Sequence, residues 1–148
     1  MLTENRNAQA EADIRALMNE WTDAFMAKDV NRIIASYTQD VVAFDAILKL
    51  QFLDRESYRK HWEACMAMCP GPVEFELRDL RVTAAEQIAF AHYICRCGGT
   101  DDKGETHSSW MRASLGLRRE QDRWLIAHEH FSSPFDPATG KAMFDVTP

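Results

Sequence analysis

From Ala8 to Lys28 the apolar residues Ile14, Leu17, Met18, Trp21 and Phe25 fall at offsets 0, 3, 4, 7 and 11, which is one face of a helix. Asp29 is a good N-cap for a short second helix over Val30 to Tyr37. Val41-Val42-Ala43-Phe44 then reads as a brief β-rich run that ends at Asp45, where a strand meets a loop. Asp54 is a second good cap, and the pattern after it predicts a third helix through Tyr58 and Trp62 that Pro70-Gly71-Pro72 stops. Four β-like stretches follow, at about 73–83, 87–98, 105–119 and 123–132, separated by polar turns at Ala85-Glu86, Asp101 to Gly104 and Glu120 to Asp122. Helices first and a meander of strands afterwards predicts an α+β fold, with an antiparallel sheet capped on one face by the N-terminal helices. Strands this long twist and curl, so the capped face is expected to be concave and to enclose a pocket. The tail from Pro134 is irregular and is expected to cross the pocket mouth or a neighbouring subunit.

A chain of 148 residues suits one domain, 1–148, and 46% hydrophobic with 27% charged residues is a globular composition. Charge changes the picture only by exclusion. The net charge of −6 argues against a nucleic-acid partner, which requires a positive surface. The polar N-terminus lacks a secretory signal and no segment approaches the ~20 apolar residues of a membrane span, so a cytoplasmic location without membrane partners is expected. The four cysteines then read as reduced thiols. Cys65 with Cys69 and Cys95 with Cys97 lack the spacing of a structural zinc site, and no metal or cofactor is expected. His128 and His130, at i and i+2, share a strand face and are read as interface residues before metal ligands.

The order of elements, together with the segments Tyr37 through Asp45 and Trp124-Leu125-Ile126-Ala127-His128-Glu129-His130-Phe131-Ser132, resembles the nuclear transport factor 2-like superfamily. That superfamily includes ketosteroid isomerase and SnoaL-like proteins, and the last segment is also similar to the calcium/calmodulin-dependent kinase association domain. The resemblance covers nearly the whole chain and implies a cone-shaped half-barrel with an internal pocket. It implies that Leu125, Ala127, Glu129 and Phe131 face the pocket while His128 and His130 face away. The same register puts Phe90, His92 and Ile94 inward, and Trp110, Arg112 and Ser114 inward on the third long strand, where a shift of one residue would reverse the face. Asp45 matches the general base of ketosteroid isomerase. Trp21 and Ser114 stand where that enzyme has its tyrosine and protonated aspartic acid, so its oxyanion donors are not reproduced. Phe131 replaces a pocket arginine of the association domain.

Asp45, walled by Trp21, Phe44, Trp62 and Phe131, is thus the candidate base; the rival reading is a turn aspartate bonded to its own loop. His92 is the candidate donor to a ligand oxygen, against a core histidine satisfied by a neighbour. Arg112 and Glu129 are read as a partly buried pair, or Arg112 as a clamp for a ligand carboxylate. Tyr58, Trp62, Phe90, Trp110 and Phe131 complete the expected ligand wall.

These readings converge on a small-molecule pocket protein. In the leading form it is a cofactor-independent isomerase or lyase that moves a proton on a small apolar carbonyl compound. In the alternative form it is a non-catalytic ligand-binding or dimeric association domain. A homodimer through the outer sheet face is expected, because Trp124, Ile126, Met111, Leu115 and Leu117 would otherwise expose a large apolar patch.

Overall fold

The apolar stripe of the first segment buries Ile14, Met18, Trp21 and Phe25 along α1, which runs Leu2–Met26 in the computed structural model of residues 1–148. Lys28 turns the chain out of the helix at a left-handed φ of 55°. Its ammonium donates to the carbonyls of Cys69 and Gly71, which ties the end of α1 to the end of α3. Asp29 caps α2 (Val30–Ile34) by accepting from the amide of Arg32 at 3.1 Å. This helix stops three residues short of the expected Tyr37, because Tyr37 already belongs to β1 (Tyr37–Phe44). Asp54 caps α3 (Arg55–Met68), its carboxylate accepting from the Ser57 amide at 2.6 Å.

The remaining strands are β2 (Val73–Ala84), β3 (Ile88–Thr100), β4 (Thr106–Glu120) and β5 (Arg123–Ser132), close to the expected stretches. The sheet order is β1-β5-β4-β3-β2, with β2 through β5 antiparallel and β1 parallel to β5. The sheet is therefore mixed and open, with the helices over one face, as in an α+β cone. The strand that makes it mixed is the run that the sequence pattern marks only as Val41 to Phe44.

Two bulges set which side chains face the helices. Asp79, at a φ of 57°, marks an extra residue in β2 between Arg78 and Arg81. In β5 the pairing steps from Leu117↔Ile126 to Gly116↔His128, leaving Ala127 as the extra residue. Trp124 and Ile126 are consequently buried on the same side as Glu129 and Phe131. A strict alternation through Leu125, Ala127, Glu129 and Phe131 fails at the bulge, and Leu125 and Ala127 are only half-buried.

The faces of β3 and β4 are the reverse of those expected. Ala89, Ala91, Tyr93 and Cys95 of β3, and Ala113, Leu115 and Leu117 of β4, are buried under the helices. Phe90, His92, Ile94, Trp110, Arg112 and Ser114 therefore lie on the outer face. The physical reason is the period of two, which makes a slip of one residue exchange the faces completely. The apolar patch on which a dimer is expected dissolves with it. Trp124, Ile126, Leu115 and Leu117 belong to the core, and Met111 packs against it. No helix is long and apolar enough to cross a membrane.

Candidate functional site

Between α1, α3 and the concave face of the sheet lies a cavity of about 320 Å³, near the lower end of the range for small-molecule sites. Thirteen of its eighteen lining residues are hydrophobic, and none is lysine or arginine, which favours a compact, uncharged ligand. Trp21, Trp62, Phe75 and Phe131 form aromatic walls, and Cys65, Cys69 and Cys97 add three thiols. Burial pushes the Cys65 and Cys97 thiols up to about 12, so both are neutral and unreactive near pH 7.

Asp45 is on this wall, with its side chain 11% exposed. One carboxylate oxygen accepts from the amide of Ile47 at 3.3 Å, so the turn bond of the rival reading is present. The other oxygen does something different. It lies 3.2 Å from Nε2 of His61 and 3.4 Å from the hydroxyl of Tyr58, both on α3. His61 is buried behind the carboxylate, and its Nε2 is also 3.5 Å from Sγ of Cys65.

Below Asp45, Glu129 is fully buried. Its Oε2 lies 2.7 Å from the hydroxyls of both Tyr37 and Tyr58, and the Trp21 indole N–H donates to the Tyr37 oxygen at 2.8 Å. Its Oε1 has no partner. Burial pushes the Glu129 carboxyl up to about 8; the two tyrosine hydroxyls oppose the shift and the charge of Asp45 adds to it.

A folded-state value above the unfolded one means that unfolding releases the Glu129 proton between about pH 4.5 and 8. Its contribution to stability is complete below that window and is lost as pH rises through it. Melting temperature is expected to fall across this window in the wild type, and Glu129→Gln should flatten that part of the profile. An unchanged slope in the variant would place the titration elsewhere.

The structure thus brings together Asp45, Trp21, Tyr58, Trp62, Glu129 and Phe131 from the sequence reading, but not all in the expected way. Tyr58 and Glu129 do not line the cavity; they are buried behind Asp45, Tyr58 in contact with its carboxylate and Glu129 in contact with Tyr58. The Trp21 N–H is spent on Tyr37, whereas Trp62, which lines the cavity, has a buried N–H without a partner. Phe44 leaves the wall for the outer face, where its ring packs against His128 and His130 at centroid distances of 4.8 and 5.5 Å.

His92 does not reach the site. It lies on the outer face with Phe90 and Arg112 in a separate open groove. Trp110 stacks under the guanidinium of Arg78 at 4.6 Å, and Arg112 donates to Ser132 at 3.2 Å, so no Arg112–Glu129 pair exists. The tail contributes nothing to the cavity wall.

His61 and Tyr37 were missed by sequence reasoning. His61 does carry a local signal, standing three residues after Tyr58 and therefore on the same side of α3. Asp101 of the β3–β4 turn and His107 at the start of β4 also line the cavity and stand 3.1 Å apart.

The SnoaL-like domain family matches residues 14–136. No curated protein matches the chain. An NTF2-like protein of unknown function from Pseudomonas putida KT2440 is 48% identical, with 95% of this chain and 98% of that chain covered at a TM-score of 0.88. A ketosteroid isomerase-like protein from Erwinia carotovora is 20% identical over 83% of this chain and 96% of that one, at a TM-score of 0.70. A candidate scytalone dehydratase from Novosphingobium aromaticivorans is 10% identical over 89% of each chain, at 0.80. The last two likenesses show the fold alone.

Proposed function

This chain belongs to the SnoaL-like domain family of NTF2-like proteins, and from that premise we propose that it is an isomerase or lyase that moves a proton on a small, neutral, largely apolar carbonyl compound. The observation that carries the reading is the Asp45 carboxylate on the wall of an apolar cavity, with His61 at 3.2 Å and Tyr58 at 3.4 Å behind it. A base must face the carbon acid and be held by groups that do not, and this arrangement supplies both. Asp45 takes the proton from the carbon next to the carbonyl. The charge that develops on the carbonyl oxygen is met by the unpartnered N–H of Trp62. Return of the proton to another carbon completes an isomerisation, and loss of a β-substituent completes an elimination.

One observation favours the second reading, a domain that binds its ligand without turnover. The hydroxyls of Tyr37 and Tyr58 and the N–H of Trp21 are engaged with one another and with Glu129, which leaves few donors for an oxyanion.

Proton exchange separates the two readings whatever product is formed. A panel of compact, neutral ketones and β-hydroxy ketones is incubated with the protein in D2O and followed by proton NMR. Catalysed deuterium uptake at the carbon beside the carbonyl is expected for at least one compound that also quenches tryptophan fluorescence. Compounds that bind in the cavity yet exchange no faster than in buffer would favour the binding domain.

A further inference from the structure

The buried cluster behind Asp45 contains a hydrogen-bond choice that the proposed reaction does not by itself require. Glu129 of β5 faces Tyr37 of β1, Tyr58 of α3 and Tyr93 and Cys95 of β3, with Asp45 beyond Tyr58. The Trp21 N–H occupies the Tyr37 oxygen, so the Tyr37 hydrogen is directed to Glu129 Oε2. Tyr58 is not fixed in this way. Its oxygen lies 2.7 Å from Glu129 Oε2 and 3.4 Å from Asp45 Oδ2, and it has one hydrogen to give.

Two oxygens 2.7 Å apart require a hydrogen between them. If Glu129 is ionised, Tyr58 must supply that hydrogen, and Asp45 receives nothing from it. If Glu129 is protonated on Oε2, the acid donates to the Tyr58 oxygen, and the Tyr58 hydrogen is free to turn to Asp45.

We propose that Tyr58 is a hydroxyl switch through which the protonation of Glu129 controls the hydrogen bond received by Asp45. Tyr58 and Glu129 are then positioning residues for Asp45. The turn accompanies the uptake of one proton from solvent by Glu129: the Tyr58–Glu129 hydrogen bond reverses its direction, and the Tyr58 hydrogen passes to Asp45. Burial, which pushes Glu129 up to about 8, keeps the donating arrangement in place at neutral pH and withdraws it in mild alkali. The importance of the switch rests on Asp45 being the working group of the cavity, but its existence does not.

The test reads Asp45 directly and needs no substrate. In protein labelled with 13C at the aspartate and glutamate carboxyls, the Asp45 and Glu129 resonances are assigned by their loss in Asp45→Asn and Glu129→Gln and followed from about pH 5 to 10. The wild-type Asp45 resonance is expected to show an inflection that coincides with the ionisation of Glu129. That inflection should vanish in Glu129→Gln, whose amide cannot ionise, and in Tyr58→Phe, which keeps the ring and removes the hydroxyl. An inflection of undiminished size in Tyr58→Phe, wherever Glu129 then titrates, would mean that charge alone couples the carboxyls and would overturn the switch. Circular dichroism confirms that each variant is folded. Loss of the switch with deuterium exchange intact would leave the proposed function standing, and the converse result would leave the switch standing.

Discussion

Asp45→Asn is expected to lower catalysed deuterium exchange by about 10²–10⁴-fold, the range for removing a positioned base, while ligand affinity changes only slightly. The amide has the shape of the carboxylate, and its oxygen can still accept from Ile47 as Asp45 does at 3.3 Å, so the loop should hold. What it lacks is the capacity to take a proton. Tryptophan-fluorescence titration measures binding, and NMR exchange rates measure chemistry, on the same two proteins. Equal exchange by both would remove Asp45 from the mechanism. The His61→Gln variant refines the result. It should reduce exchange by less than Asp45→Asn does, because His61 reaches the substrate only through the carboxylate 3.2 Å away.

Trp21→Ala is expected to cost about 3–5 kcal/mol of stability, the range for deleting a buried aromatic side chain. Each kcal/mol moves the melting temperature of a domain this size by roughly 2–4 °C, so a fall of roughly 6–20 °C should appear in a thermal melt. The ring is fully buried. It stacks on Phe25 at 5.6 Å and meets Phe75 and Trp62 edge-on at 5.0 and 5.7 Å. Its N–H also fixes the Tyr37 hydroxyl that serves Glu129. Trp62→Ala should cost less, because that ring's N–H has no hydrogen bond to lose, unlike the N–H of Trp21. Trp21→Phe retains much of the ring and isolates the lost N–H. A Trp21→Ala melt close to the wild type would contradict the packing of α1 against the sheet.

Local pattern carried the elements because their causes are local. A stripe at helical spacing, a capping aspartate and a Pro-Gly-Pro stop act within a few residues, and α1, α3 and the strand limits follow from them. The strand-end position of Asp45 was legible for the same reason, while its reading as a base came from the family resemblance. Its partners were less so. His61 and Tyr58 share a side of α3, but only tertiary packing brings that side to Asp45.

The faces of the strands had to wait for the folded chain. Alternation has two phases, both faces of β3 and β4 carry apolar residues, and no local energy distinguishes inward His92 and Arg112 from inward Tyr93 and Ala113. The Ala127 bulge then changes phase within β5, so that Trp124, Ile126, Glu129 and Phe131 share one side. The sequence by itself determined the helices, the approximate strands, the α+β order and the position of one carboxylate at a strand end. The tertiary structure alone decided the parallel pairing of β1 and which residues face the cavity, and it alone joined Glu129 to Tyr37, 92 positions away. Those outcomes depend on the packing of whole faces against each other, a balance that no short stretch of residues contains.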